Sequence, residues 1–212
     1  MSEFYIFGAG GHAASIADAI ISNGWEIKAF IDETGSKTTF LNFPVVNSIE
    51  KVSLENSNIA IAIGDNAQRK KVVDRLKKTG SFRFPPVVHK TAYTGLCSTY
   101  GEGTVILAGA NIGANSHLGD FVILNSGSSL DHDSLMGDFS SLAPSAVTGG
   151  LVKIGDFSAI GIGAVLRHSI SIGEHTVIGS ASLVNDSIPH EVIAFGVPCK
   201  IIRTREIGSP YL

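Results

Sequence analysis

Residues 128–138, SSLDHDSLMGD, place one histidine between two aspartates in a run of otherwise small or aliphatic residues. Asp131, His132 and Asp133 are the strongest candidates for chemistry in the chain. A carboxylate bonded to one imidazole nitrogen fixes the tautomer and raises the basicity of the other, as a general base requires. Two other readings stand beside this one. The histidine could be a solvated side chain on a turn, or a metal ligand. A metal needs several converging donors, whereas adjacent residues of an extended segment point to different sides.

A second group opens the chain. Residues 4–7 form a short apolar run, typical of a buried parallel strand, and Gly8, Gly10 and Gly11 follow. They suit a tight turn with close backbone approach. A helix is expected next, with Ala14, Ile16, Ala17, Ile20 and Ile21 on its apolar side. Residues 25–31 and 59–63 read as further strands. They end at Asp32 and at Gly64-Asp65-Asn66, and Asp65 or Asn66 can cap a helix over 67–78 that is basic along one face. The glycines approach the G-x-G-x-x-G/A fingerprint, with Ala13 last and Asp32 about 20 residues on. Such a turn aims N–H groups at a phosphate. A nucleotide-sugar site, a dinucleotide site and a purely structural turn all fit it. A half-domain of residues 1–85 is short for a dinucleotide such as NAD.

The elements that must position His132 have a different period. An aliphatic recurs every sixth residue, at 106, 112, 118, 124, 130, 136 and 142, and again from 154 to 184; Thr148 alone breaks the series. Glycine or another turn former usually follows, as at Gly113, Asn125, Asp131, Gly149 and Gly161. Two places before the aliphatic the residue is mostly small. Neither helix nor plain strand has a period of six. A three-sided coil does: each face is a short strand, each corner a turn, and each aliphatic stacks on the one 18 residues away. The predicted fold is an α/β Rossmann-like unit over 1–85, then a parallel β-helix with a C-terminal tail over 86–212. It also accounts for 24 glycines in 212 residues.

Bulk properties narrow the function. A hydrophobic fraction of 44% and a mean hydropathy of +0.26 support a true core. A formal charge of −3 and pI of about 6.1 provide no basic footprint for nucleic acid. No apolar run reaches the ~18–20 residues of a membrane span, and no signal-like start is present, so a cytoplasmic protein is expected. Cys97 and Cys199 form no CxxC pair, lie in no nucleophile setting, and read as packing residues.

FGAGGHA at the start, DHDSLMGDF within the ladder, IGIGA at 160–164 and IPHEVIAFGVPCKIIR near the end together resemble bacterial sugar acetyltransferases with hexapeptide repeats. These include the UDP-4-amino-sugar N-acetyltransferase of bacillosamine synthesis, GDP-perosamine acetyltransferases and sialic acid O-acetyltransferases. The likeness spans nearly the whole chain. It implies a left-handed β-helix, homotrimers, acetyl-CoA as co-substrate, no metal, and a nucleotide-linked amino-dideoxy sugar acylated at its 4-amino group. It implies His132 as base with Asp133 or Asp131 orienting it. Gly10, Gly11, His12, Asp32 and Gly64 would line the nucleotide-sugar pocket, although helix capping suits His12 equally. Ser141, Ile162 and Glu174 would contact acetyl-CoA, Ile162 through its backbone, and the Gly149-Gly150 region would supply an oxyanion donor. His117, His168, His175 and His190 are expected on the surface. The family usually has Glu-His-Asp-Cys where this chain has Asp131-His132-Asp133-Ser134, often histidine where it has Ser141, and Pro-Ala-Lys where it has Pro198-Cys199-Lys200. Sugar O-acetylation and a non-catalytic trimeric scaffold with a nucleotide-sensing domain remain as alternatives.

Overall fold

A computed structural model describes residues 2–35, 37–49 and 57–211. Its first part alternates strand and helix. The chain runs through β1 (Glu3–Phe7), α1 (Gly11–Ser22), β2 (Glu26–Ile31), β3 (Thr39–Phe40), β4 (Phe43–Val46), β5 (Asn58–Ile61) and α2 (Asn66–Thr79). The sheet order is β3-β4-β2-β1-β5, parallel except where β3 pairs antiparallel with β4. The β3–β4 hairpin is an addition to the sequence reading; its strands are too short to show periodicity. The face of α1 also differs from expectation. Ala13, Ile16, Ala17, Ala19 and Ile20 are buried, but Ile21 is 51% exposed.

Gly8 is the glycine that the first turn requires. Its φ is +114°, and a Cβ there would sit 3.0 Å from the Ala62 carbonyl oxygen. A Cβ on Gly10 or Gly11 would meet nothing within 4 Å among the described residues, so no packing with these demands them. Asp65 caps α2, its carboxylate accepting from Gln68 N–H at 2.9 Å.

The second part is a three-sided parallel solenoid. From β6 (Val87–Val88) to β22 (Leu183–Val184) each strand has two residues, and every third strand lies on the same face. The first face is extended by β23 (Val192–Gly196) and antiparallel β24 (Cys199–Thr204). The hexad aliphatics meet along the axis in one core, where Leu130, Leu142, Ile178 and Val184 are each 0% exposed. Burial of each such side chain is worth roughly 1.5–3 kcal/mol. The small positions between them, including Ser116, Ser134, Ser158 and Thr176, are buried as well.

The turn chemistry refines the sequence reading. The glycine after each aliphatic is not the residue in the left-handed conformation. That role falls three places beyond the aliphatic, on Asn115, Phe121, Asp133, Phe139, Leu151 and Phe157, with φ between 53° and 61°. The glycines serve packing instead: a Cβ on Gly113 would lie 2.4 Å from the His132 nitrogen of the next coil.

The α/β unit rests on the solenoid through two contacts. Ala13 and Ile16 of α1 pack in one cluster with Val87, Val105 and Ile123 of the first face. Val73 and Leu76 of α2 join the corner between the third and first faces, where Phe121, Phe139, Phe157 and His175 form a stack. His175 is thus a stacking residue as well as a partly exposed one. Arg69 is 1% exposed and ties the two parts together. Its guanidinium donates to the carbonyls of Ile63, Gly64, Phe121 and Phe139 and to Asn66 Oδ1 at 2.7–3.0 Å. Burial draws its pKa down to about 10, so it stays cationic at neutral pH. Replacing it with alanine strands these acceptors. Arg69→Ala should cost about 3 kcal/mol or more of unfolding free energy, measurable by denaturant titration.

Candidate active site

His132 lies on the corner between the second and third faces, just after β13 (Ser129–Leu130) and before β14 (Leu135–Met136). Its Nδ1 is 2.7 Å from Asp133 Oδ2. The other carboxylate oxygen, Oδ1, accepts from Asn115 Nδ2 at 2.7 Å. Asp131 turns the opposite way and accepts from the His132 backbone N–H at 2.8 Å. Thus Asp133 holds the ring and Asp131 holds the turn. The left-handed backbone at Asp133, φ 55°, is what swings its carboxylate round to its neighbour, and Asp tolerates that region.

The imidazole lies against Gly150 of the next coil. A Cβ on Gly150 would come within 2.5 Å of ring atoms Cε1 and Nε2. No residue other than glycine leaves that space, and the Gly150 N–H makes no hydrogen bond within the described residues. With Nδ1 committed to Asp133, Nε2 is the free nitrogen, against the α-carbon of Gly150, a residue whose N–H is unused. The Asp133 hydrogen bond and the nearby Asp131 charge raise the His132 pKa above its ordinary value. Hydrogen bonds from Asn115 and His132 hold the Asp133 carboxyl below its own.

The remaining expected residues fall into three places. Gly10 and Asp32 line an open crevice of about 610 Å³ at the carboxyl ends of β1, β2 and β5, with Gln68, Lys71 and Arg75 on its α2 side. His12, Gly64, Ser141 and Ile162 line a second cavity of about 340 Å³ between α1 and the first face. Gly11 opens α1, whose start has no side-chain cap. Glu174 sits on neither; it borders the groove along the third face, with His117, Lys153 and His190. Cys97 is exposed, which corrects its reading as a packing residue; Cys199 is partly buried.

The second cavity holds two features that the sequence did not signal. Tyr211 folds back from the tail and lines it. Its hydroxyl accepts from Asn66 N–H at 3.2 Å and lies 3.3 Å from the Gly64 carbonyl. His12 presents an Nε2 that is shielded from solvent and has no partner among the described residues. Desolvation, then the Arg69 charge, pull its pKa down to about 4. His12 therefore remains neutral at physiological pH, with its ring free to bond a ligand.

The PglD N-terminal domain family matches residues 3–76. No curated protein sequence matches significantly. PerB, the perosamine N-acetyltransferase of Caulobacter crescentus, solved with CoA and GDP-perosamine, is 30% identical over 96% of this chain and 98% of its own, with a TM-score of 0.88. The chain belongs to the hexapeptide-repeat sugar N-acetyltransferases. The acetyltransferase domain of PglB from Neisseria gonorrhoeae, solved with acetyl coenzyme A, is 30% identical over 94% of this chain and 98% of its own, TM-score 0.88. WeeI from Acinetobacter baumannii is 25% identical over 95% of this chain and all of its own, TM-score 0.86. The solenoid of this acetyltransferase is therefore the left-handed β-helix, and the scaffold and NAD readings fall away. Among the described residues no helix is long and apolar enough to cross a membrane, and no three His, Cys, Asp or Glu side chains gather as a metal site.

The depressed His12 pKa has a consequence for stability. The unfolded chain takes up a proton near pH 6.5, while folded His12 resists it down to about 4. Stability should fall as pH drops through that window. Denaturant midpoints for His12→Asn should show a flatter dependence there than wild type.

Proposed function

We propose that this acetyltransferase transfers the acetyl group of acetyl-CoA to the 4-amino group of a nucleotide-linked dideoxy sugar, with His132 as general base. The observation that carries the reading is the commitment of His132 Nδ1 to Asp133, which leaves Nε2 basic against the α-carbon of Gly150. The amine nitrogen attacks the thioester carbonyl carbon. Gly150 N–H stabilises the oxyanion that develops. Nε2 takes the excess proton from nitrogen; the C–S bond then breaks, and the proton passes to the departing CoA sulfur. Asp133 stabilises the transient imidazolium, and no acyl-enzyme forms.

The 1–85 unit serves as the nucleotide-sugar domain in this proposal. The crevice at Gly10 and Asp32 is where open α/β sheets bind ligands, at the carboxyl ends of their strands. Gly11, at the uncapped start of α1, offers N–H groups to the diphosphate. His12 and Gly64 border the sugar end, and Ser141, Ile162 and Glu174 border acetyl-CoA. PerB, solved with CoA and GDP-perosamine, supports both ligand classes.

A homotrimer, the assembly the family resemblance implies, suits this layout. The α/β unit covers the first face, while His132 stands on the corner opposite that face. His132 lines neither the crevice nor the second cavity of its own chain, and in this reading a neighbouring copy supplies the base. Use of acetyl-CoA and a nucleotide-linked sugar as substrates supports a cytoplasmic location.

Thiol release from acetyl-CoA, measured against UDP-, dTDP- and GDP-linked 4-amino sugars and free sialic acid, tests the proposal. Turnover with one amino sugar is expected, and His132→Ala should lose about 10²–10⁴-fold in kcat. Wild-type kcat in that variant, or turnover with sialic acid alone, would contradict it. The base must be unprotonated, so kcat/KM should fall on the acid side at a pH above the ~6.5 of an ordinary imidazole. Asp133→Asn removes the group that stabilises imidazolium, so that limb should move to lower pH while kcat drops.

A further inference from the structure

The single break in the hexad ladder, Thr148, falls in the coil directly above His132. In the column of backbone bonds that closes this corner, Gly95 N–H donates to the Ile112 carbonyl and Gly113 to that of Leu130. Gly149 donates likewise to Leu166 and Arg167 to Val184, all at 2.7–2.9 Å. At Asp131 the pattern changes: its N–H donates to the Thr148 hydroxyl at 3.1 Å. Correspondingly, β13 shares one residue pair with the next strand on its face, Ser129 with Val147, where neighbouring coils share two. The ladder is thus released at the residue before His132.

From the coil below, Asn115 occupies Asp133 Oδ1 and leaves Oδ2 to the imidazole. Both residues are left-handed, φ 58° and 55°, which stacks their side chains one coil apart. We propose that Thr148 and Asn115 are positioning residues for the general base, setting the His132 corner from the coils above and below. The Thr148 hydroxyl holds the Asp131 N–H away from the regular ladder, so that the corner sits where the ring can lie over Gly150. The Asn115 amide fixes which carboxylate oxygen faces Nδ1. Neither residue touches substrate. The inference rests on the reading of His132 as base in acetyl transfer.

Four variants test it on the full chain, using acetyl-CoA and the amino-sugar nucleotide that wild type turns over. Thr148→Val restores an aliphatic hexad at nearly constant size, so it should fold with an unchanged or higher Tm. Its kcat should nevertheless fall about 10- to 100-fold, the scale of a misplacement near 1 Å, with KM for both substrates held within about twofold. Thr148→Ser, which keeps the hydroxyl, should recover most of that loss. Asn115→Gly keeps the left-handed backbone and removes only the amide. Its kcat should fall similarly, and the acid limb of kcat/KM should move to lower pH as Asp133 loosens from the ring. His132→Ala separates the two levels of the argument. If it keeps wild-type kcat, the reading of His132 as base fails, and the positioning inference with it. If it abolishes turnover while Thr148→Val and Asn115→Gly keep wild-type kcat and pH profile, the positioning inference alone is overturned.

Discussion

From β6 to β22 each coil of the solenoid is 18 residues long, and the contacts between coils that shape the His132 corner depend on that length. Asn115 lies beneath Asp133, His132 beneath Gly150, and Gly113 beneath the His132 backbone. One residue more or less in a single coil would carry its aliphatics off the axis and break the contacts that span it. The hydrophobic stack and the site are therefore held by the same register. Core burial supplies the energy, at roughly 1.5–3 kcal/mol per aliphatic side chain. The corner contacts use the resulting precision without contributing much to it, since the His132–Asp133 pair is half exposed and surface ion pairs are weak.

The second constraint is the docking of the α/β unit. Arg69 is a buried cation with no carboxylate bonded to it among the described residues, held by four carbonyls and one side-chain amide oxygen. Its acceptors come from both parts of the chain, which fixes their relative placement. Its charge also helps to keep His12 neutral. One residue thereby couples domain geometry to the protonation of a cavity-lining side chain. Docking on the first face leaves the opposite corner, with His132, exposed.

Much of this was legible in the sequence. The period of six specified the solenoid, because nothing else repeats at that length. The adjacency of His132 and Asp133 is a local signal and came through directly. Long-range partners did not. Asn115 acts on a residue one coil away and carries no mark of that role. Arg69 lies in a basic helix whose other cations are largely exposed, and only the docked structure separates it from them. Thr148 stood out as an exception, but its meaning needed the hydrogen bond to Asp131. The glycines after each aliphatic read as turn formers, whereas their service is to admit the corner of the next coil. Tyr211 reaches its cavity from the far end of the chain, a contact no periodicity can announce.

The central claim is that the His132–Asp133 contact makes Nε2 a base above ordinary imidazole strength. ¹⁵N NMR titration of His132 in the intact acetyltransferase tests it most directly. The account predicts a neutral ring protonated on Nδ1, titrating at a pH above ~6.5. A neutral ring protonated on Nε2, or a pKa at or below the ordinary value, would contradict it.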